Sequence, residues 1–114
     1  MKVVTIGLGY IGLPTSALIA SKSIPVHGVD INENIVEIIN QGKIHIVEPD
    51  LDTVVQLCVE KGFLKASANP VEGDVYLIVV PTPFKGNHEP DISYVEAATR
   101  SVLPLLKSGD LYII

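Results

Sequence analysis

The stretch from Val3 to Ala20, VVTIGLGYIGLPTSALIA, constrains this chain more than any other. A β-branched apolar run, Lys2 to Ile6, ends at a glycine, and a helix-like run opens near Ile11. Between them Gly7, Gly9 and Gly12 stand at G-x-G-x-x-G spacing. A strand that becomes a helix within so few residues must bend tightly, and glycine supplies the backbone freedom for that bend. The run before the bend is apolar without alternation, the pattern of a strand covered on both faces. In Ile11–Lys22, Leu13, Ala17, Leu18 and Ala20 can share a helix face. Pro14 falls in the first turn, where its missing N–H is harmless.

The rest of the chain repeats the theme. Pro25–Asp30, PVHGVD, reads as a second strand, and Asn32 caps a helix from Glu33 to Asn40 that Gly42 closes. After the irregular KIHIVEPD, the period of Leu51, Val54, Val55 and Cys58 predicts a helix from Leu51 to Lys61, ended by Gly62. Phe63–Ser67 is a short strand, and Val75–Val80, VYLIVV, has the composition of a central parallel one. PTPFKGNHEP is a loop. Ser93 and Glu96 form a capping box for a helix reaching Lys107, kinked near its end by Pro104. Gly109 closes it, and LYII opens a fifth strand that stops midway, as a truncated element would. The alternation β-α-β-α-α-β-β-α-β requires parallel strands with right-handed crossovers. The expected fold is therefore α/β, a Rossmann-type doubly wound parallel sheet of five strands in one domain over residues 1–114.

Set between that strand and that helix, the glycines acquire a chemical use. Gly7 permits the turn, Gly9 lets a pyrophosphate approach the backbone, and Gly12 lets the helix pack close to the sheet. The helix start then points free N–H groups and a partial positive charge at the phosphates. Asp30 ends the second strand, 18 residues past Gly12. Its carboxylate can accept hydrogen bonds from the adenosine ribose and would repel a 2′-phosphate, which favours NAD over NADP. The plainer reading is that Asp30 only begins a turn and the glycines serve packing. Strand, motif, helix and acid in this order favour dinucleotide binding.

Other residues carry weaker signals. Pro81, Thr82 and Pro83 follow the central strand at the edge where ligands sit in such sheets. Thr82 either donates to a cofactor or caps the loop, and both readings stand. Glu48 faces the same crevice or belongs to the N-terminal cap of the next helix. Lys85 reads as a solvated side chain and His27 as a packed or edge histidine. His45 and His88 have no second ligand at metal spacing, so no metal site is expected. Cys58 lies on an apolar helix face with nothing basic close by, and reads as a small buried hydrophobe rather than a nucleophile.

Composition bounds the class. A formal charge of −5 and no basic stripe argue against nucleic acid as a partner. The longest apolar run, Val75–Pro81, is far short of the roughly 20 residues of a membrane helix. One cysteine excludes an internal disulfide framework, and Lys2 runs straight into a strand pattern without a cleavage site. A cytoplasmic protein is expected. The mean hydropathy of +0.41 implies strands buried on both faces, or surface that another domain covers.

The segments IGLGYIGLPTSALIA, GVDIN, GKIHIVEPDL, VPTPFKGNHEPD and SYVEAATRSVLPLLKSGDLYII together resemble the UDP-glucose/GDP-mannose dehydrogenase family over essentially the whole chain. GLGYIGLP and VPTP are shared across that family, whereas IHIVEPDL followed by VPTPFKGNHEPD points to its mannosamine branch. The resemblance implies an oxidoreductase that takes a primary alcohol of a UDP-sugar to a carboxylate with NAD. It implies a cysteine that carries a thiohemiacetal and then a thioester, assisted by lysine and asparagine. Those residues fall in family segments that this sequence does not contain, so no catalytic residue is expected among residues 1–114, and Cys58 matches no such motif. By the same resemblance Gly7, Gly9, Tyr10, Ile11 and Gly12 form the pyrophosphate turn. Asp30 is the ribose acid, and Pro81, Thr82 and Pro83 form a cofactor-side loop. The UDP-sugar would be held by a domain outside this chain, and the enzyme is expected to be a homo-oligomer. Two alternatives stay open: a UDP-glucose dehydrogenase, and an NAD-sensing regulatory module of the kind attached to potassium transport systems.

Overall fold

The computed structural model describes residues 1–80, 93–107 and 109–113. Five strands form one sheet: β1 (Val3–Ile6), β2 (Val26–Val29), β3 (Leu64–Ser67), β4 (Val75–Ile78) and β5 (Leu111–Ile113). Their order is β3-β2-β1-β4-β5, and every pairing is parallel. The helices are α1 (Gly12–Ser21), α2 (Glu33–Asn40), α3 (Leu51–Glu60) and α4 (Ser93–Val102). The expected doubly wound sheet is present, with the elements in the expected sequence.

Strand pleating sends alternate residues to two cores. Val3, Val26 and Leu64 face α1, α2 and α3 together with Leu13, Ala17, Ile39, Val55 and Cys58. Val4, Ile6, Val29, Tyr76 and Ile78 face the other side, where Ala98 and Val102 of α4 cover them. The connection from β3 to β4 is the one without a helix. Its seven residues, 68–74, must cross three strand spacings (about 14 Å) while running back about 13 Å. An extended chain of that length reaches about 24 Å, so the crossing is made nearly straight. Val71 packs into the α4-side core on the way. At its end Asp74 N–H donates to the Lys2 carbonyl at 2.8 Å, and Gly73 N–H donates to the Tyr76 hydroxyl at 2.9 Å.

Two expectations need correction. The fourth helix ends at Val102 and tightens into a 3-10 turn over Leu103–Leu105, rather than continuing as a kinked helix to Lys107. Pro104 has no N–H to donate back to Arg100, so the α-pattern cannot be kept through it. The central strand ends at Ile78, and Val79 and Val80 turn out towards the cleft described below. Pro81, Thr82, Pro83, Lys85 and His88 lie outside the described residues.

The two edges of the sheet differ. At β3, Asn40 of α2 donates through Nδ2 to the Ala66 carbonyl and accepts the Ala66 N–H on Oδ1, both at 2.9 Å. That side chain occupies the rung a further strand would use. At β5, Leu111 and Ile113 are 52% and 44% exposed, on the face opposite to α4.

Candidate functional site

The glycine turn starts from a fixed point. Gly7 N–H donates to the Val29 carbonyl at 2.7 Å, and Val79 N–H donates to the Ile6 carbonyl at 2.8 Å. The end of β1 is thus held from both neighbours, β2 and β4. This is also where the strand order reverses, the crevice that ligands occupy in open α/β sheets.

Each glycine of the motif has its own reason. Gly7 adopts φ +105°, and a Cβ there would stand 2.2 Å from the Val79 carbonyl oxygen. Gly12 is buried, and a Cβ on it would stand 1.8 Å from the Gly7 carbonyl oxygen. The close approach expected between helix and sheet is therefore made between the helix and the turn itself. Gly9 is different: no described atom lies within 4 Å of where its Cβ would be. Nothing among the described residues forbids a side chain at Gly9, so packing within them does not account for the absent Cβ.

The start of α1 is left open. Ile11 occupies the N-cap position in a helical conformation with no side-chain cap, and the first turn carries no acid. By contrast, α2 is capped by Asn32, as the sequence predicts, through a 3.0 Å bond from Asn34 N–H to its Oδ1. The first helical bond of α1 runs from Leu13 N–H to the Gly9 carbonyl at 3.1 Å. The N–H groups of Gly9, Tyr10, Ile11 and Gly12 have no partner among the described residues. Four amides without a partner among the described residues, together with a helix dipole, are an arrangement that can receive an anion.

Asp30 stands beside the glycine turn, at the end of β2. Its Oδ2 accepts from Leu8 N–H at 3.1 Å and its Oδ1 accepts from Asn32 N–H at 2.9 Å. The turn expected of Asp30 in the plainer reading is present, since the carboxylate does open the turn into α2. Each oxygen has capacity for a further donor. A cleft of about 730 Å³ runs between these groups, lined by Gly7, Gly9, Tyr10, Ile11 and Asp30 on one side and by Val80 and Tyr94 on the other. That volume is of the size that organic ligands occupy.

The remaining candidates sit elsewhere. Glu48 is exposed and does not line the cleft; its backbone carbonyl, not its carboxylate, meets Leu51 N–H at the start of α3. His27 is half-buried on β2, with Nε2 2.7 Å from the Ser67 hydroxyl. Burial, and then the charges of Lys2 and Lys65, lower its pKa. Cys58 is buried in the α1–α3 core 3.8 Å from the Ala17 carbonyl, and burial raises its thiol pKa despite the opposing charge of Lys61. Among the described residues no three His, Cys, Asp or Glu side chains are grouped to hold a metal, and no helix is long and apolar enough to cross a membrane.

The family model for the UDP-glucose/GDP-mannose dehydrogenase NAD binding domain matches residues 1–114. The chain belongs to that family. Its cofactor is NAD, and the family match over residues 1–114 sets aside the regulatory-module alternative. It is 63% identical over 109 residues to the UDP-N-acetyl-D-mannosamine dehydrogenase of Escherichia coli K12, a match covering 96% of this chain and 26% of the relative. The NDP-N-acetyl-D-galactosaminuronic acid dehydrogenase of Ralstonia nicotianae is 55% identical over 109 residues, 96% of this chain and 26% of that protein. Among solved structures, the UDP-N-acetyl-mannosamine dehydrogenase of Staphylococcus aureus superposes with a TM-score of 0.96 at 41% identity, over 99% of this chain and 28% of the other. The chain thus spans about a quarter of the length of the relatives it matches.

Two residues of the site escape a motif reading. Leu8, the variable residue between Gly7 and Gly9, is fully buried, and Gly28 lies beneath it on β2. The sequence signal was a glycine in mid-strand, two residues before the acid.

Proposed function

We propose that the free amides of Gly9 to Gly12 hold the diphosphate of NAD and that Asp30 holds the adenosine ribose. The supporting observation is the pairing, among the described residues, of open space over Gly9 with four unpartnered N–H groups at the uncapped start of α1. A diphosphate supplies the charged acceptors those amides lack. Asp30 is already fixed by two backbone donors, so its remaining acceptor positions are oriented before a ribose arrives. A carboxylate there disfavours the 2′-phosphate of NADP by like charge. By the resemblance to the family, Pro81, Thr82 and Pro83 are further candidates for contact with the cofactor.

NAD bound in this cleft would accept a hydride from the sugar alcohol, and the protein's part is placement. The substrate reading is UDP-N-acetyl-D-mannosamine, oxidised to the corresponding uronate for surface polysaccharide. It rests on the 63% identity to the E. coli relative. The residues that select the sugar and perform the oxidation are assigned to parts of the enzyme outside this sequence. Residues 1–114 alone are expected to bind NAD and to oxidise nothing. Calorimetric titration with NAD and NADP, followed by an NADH assay with UDP-N-acetyl-D-mannosamine and UDP-glucose, tests the reading. NAD should bind more tightly than NADP, and NADH should form only when the remaining domains are present, with the mannosamine sugar preferred. Preference for NADP would refute the role of Asp30, and NADH formation by residues 1–114 alone would refute the division of labour.

A further inference from the structure

Gly28 sits in the middle of β2, where glycine costs strand stability and gives no side chain to the core. Its φ is not in the left-handed region, so conformation does not require it. Space does. A Cβ on Gly28 would stand 2.6 and 2.9 Å from the two δ-methyls of Leu8 and 3.2 Å from its Cγ. Leu8 belongs to the glycine turn, yet it is 0% exposed, whereas Tyr10 and Ile11 of the same turn are 74% and 68% exposed. Its N–H is bonded to Asp30, two residues beyond Gly28. Leu8 is therefore fastened to the end of β2 twice, by its side chain over Gly28 and by its amide at Asp30.

Leu8 is flanked by the two glycines that shape the turn, so its depth sets where the Gly9 peptide lies. Hydrogen bonds to a phosphate oxygen lose most of their strength once the donor moves by about half an ångström beyond 3.0 Å. We propose that Gly28 is a positioning residue for NAD: by leaving room for Leu8 it keeps the turn low on the sheet, with the amides of Gly9 to Gly12 at bonding distance from the diphosphate. The proposal rests on the diphosphate site described above. It adds a fourth glycine to that site, one that touches no part of the cofactor.

The test is an NMR titration with NAD of the ¹⁵N-labelled wild type and of Gly28→Ala, Leu8→Ala and the double variant, each with its melting temperature. Gly28→Ala should weaken NAD binding at least tenfold while remaining folded. Leu8→Ala should weaken it severalfold by freeing the turn. The double variant, in which the new methyl enters the space vacated by Leu8, should bind at least threefold more tightly than Gly28→Ala alone. A purely structural glycine would lower the melting temperature and leave the dissociation constant of the folded protein unchanged. Wild-type affinity in folded Gly28→Ala, or no recovery in the double variant, overturns the proposal. If Gly28→Ala unfolds, Leu8→Ala decides, and wild-type affinity there overturns it equally. A wild type whose residues 7–12 show no NAD-dependent shifts refutes the diphosphate site itself, a result distinct from failure of the variants.

Discussion

Gly9→Ala separates what the turn does for the fold from what it does for the ligand. A methyl at Gly9 meets no described atom within 4 Å, and the backbone there is not left-handed. The folded state should accept it, while the unfolded chain loses some freedom. Such substitutions stabilise by about 0.4–1 kcal/mol. At this chain length that corresponds to a rise of roughly 2–4 °C in melting temperature. The bound state should respond in the opposite sense. A phosphate oxygen bonded to these amides must come within about 3 Å of nitrogen, and the new methyl projects into that approach. Loss of one charge-assisted hydrogen bond costs about 1.5–3 kcal/mol. The dissociation constant for NAD should therefore rise between about 10-fold and 150-fold. Differential scanning fluorimetry reads the first quantity and calorimetric titration the second. NAD affinity within twofold of wild type would show that the diphosphate does not lie over Gly9. A melting temperature several degrees lower would show that the space is not open.

The other predictions separate packing from titration and from edge protection. Gly12→Ala places a methyl about 1.2 Å inside the closest approach that real Cβ atoms make to a carbonyl oxygen, and should cost about 3 kcal/mol or more, a fall above 10 °C by calorimetry; a fall under 2 °C would contradict the contact with Gly7. His27 titrates below its ordinary value of 6.5, so the unfolded chain takes up the proton first as pH falls. Its contribution to stability is complete above pH 6.5 and is lost as pH drops through that value towards the folded pKa. The fall in melting temperature between pH 7.5 and 5 should then be smaller in His27→Gln, and equal falls would remove this role. Asn40→Ala opens the Ala66 rung of β3, and should cost about 0.5–1.5 kcal/mol in urea and raise light scattering at high concentration; scattering equal to wild type would mean that the edge is protected by something else.

Local chemistry made most of the fold legible. The β1, α1, β2 and α3 segments were readable because apolar period and glycine punctuation agree there, and Asn32 was readable as a cap because its side chain acts two residues away. The end of α4 departs from the expectation for an equally local reason. In sequence Pro104 reads as a bend in a continuing helix, whereas its missing N–H converts the last turn to 3-10 geometry. The β3 edge was not legible at all. Asn40 closes helix α2 in the sequence pattern, and only the packing of α2 on the sheet turns its amide into a substitute strand rung.

The candidate site follows the same division. Spacing identifies Gly7, Gly9 and Gly12, but cannot say which glycine answers to the protein and which to the ligand. What each absent Cβ would strike shows which glycines the described packing explains: Gly7 against the Val79 carbonyl and Gly12 against the Gly7 carbonyl, but not Gly9. Asp30 shows the limit most clearly. In sequence it is an acid at a suggestive distance from the motif, with ribose binding and turn formation as rival explanations. In the structure turn formation does not preclude the proposed ribose role, because the bonds from Leu8 and Asn32 take one acceptor position on each carboxylate oxygen and fix the group beside the glycine turn. The motif and the acid are thus one mechanical unit, joined through Leu8. A substitution at Asp30 should accordingly disturb diphosphate affinity as well as ribose recognition, which two independent subsites would not do.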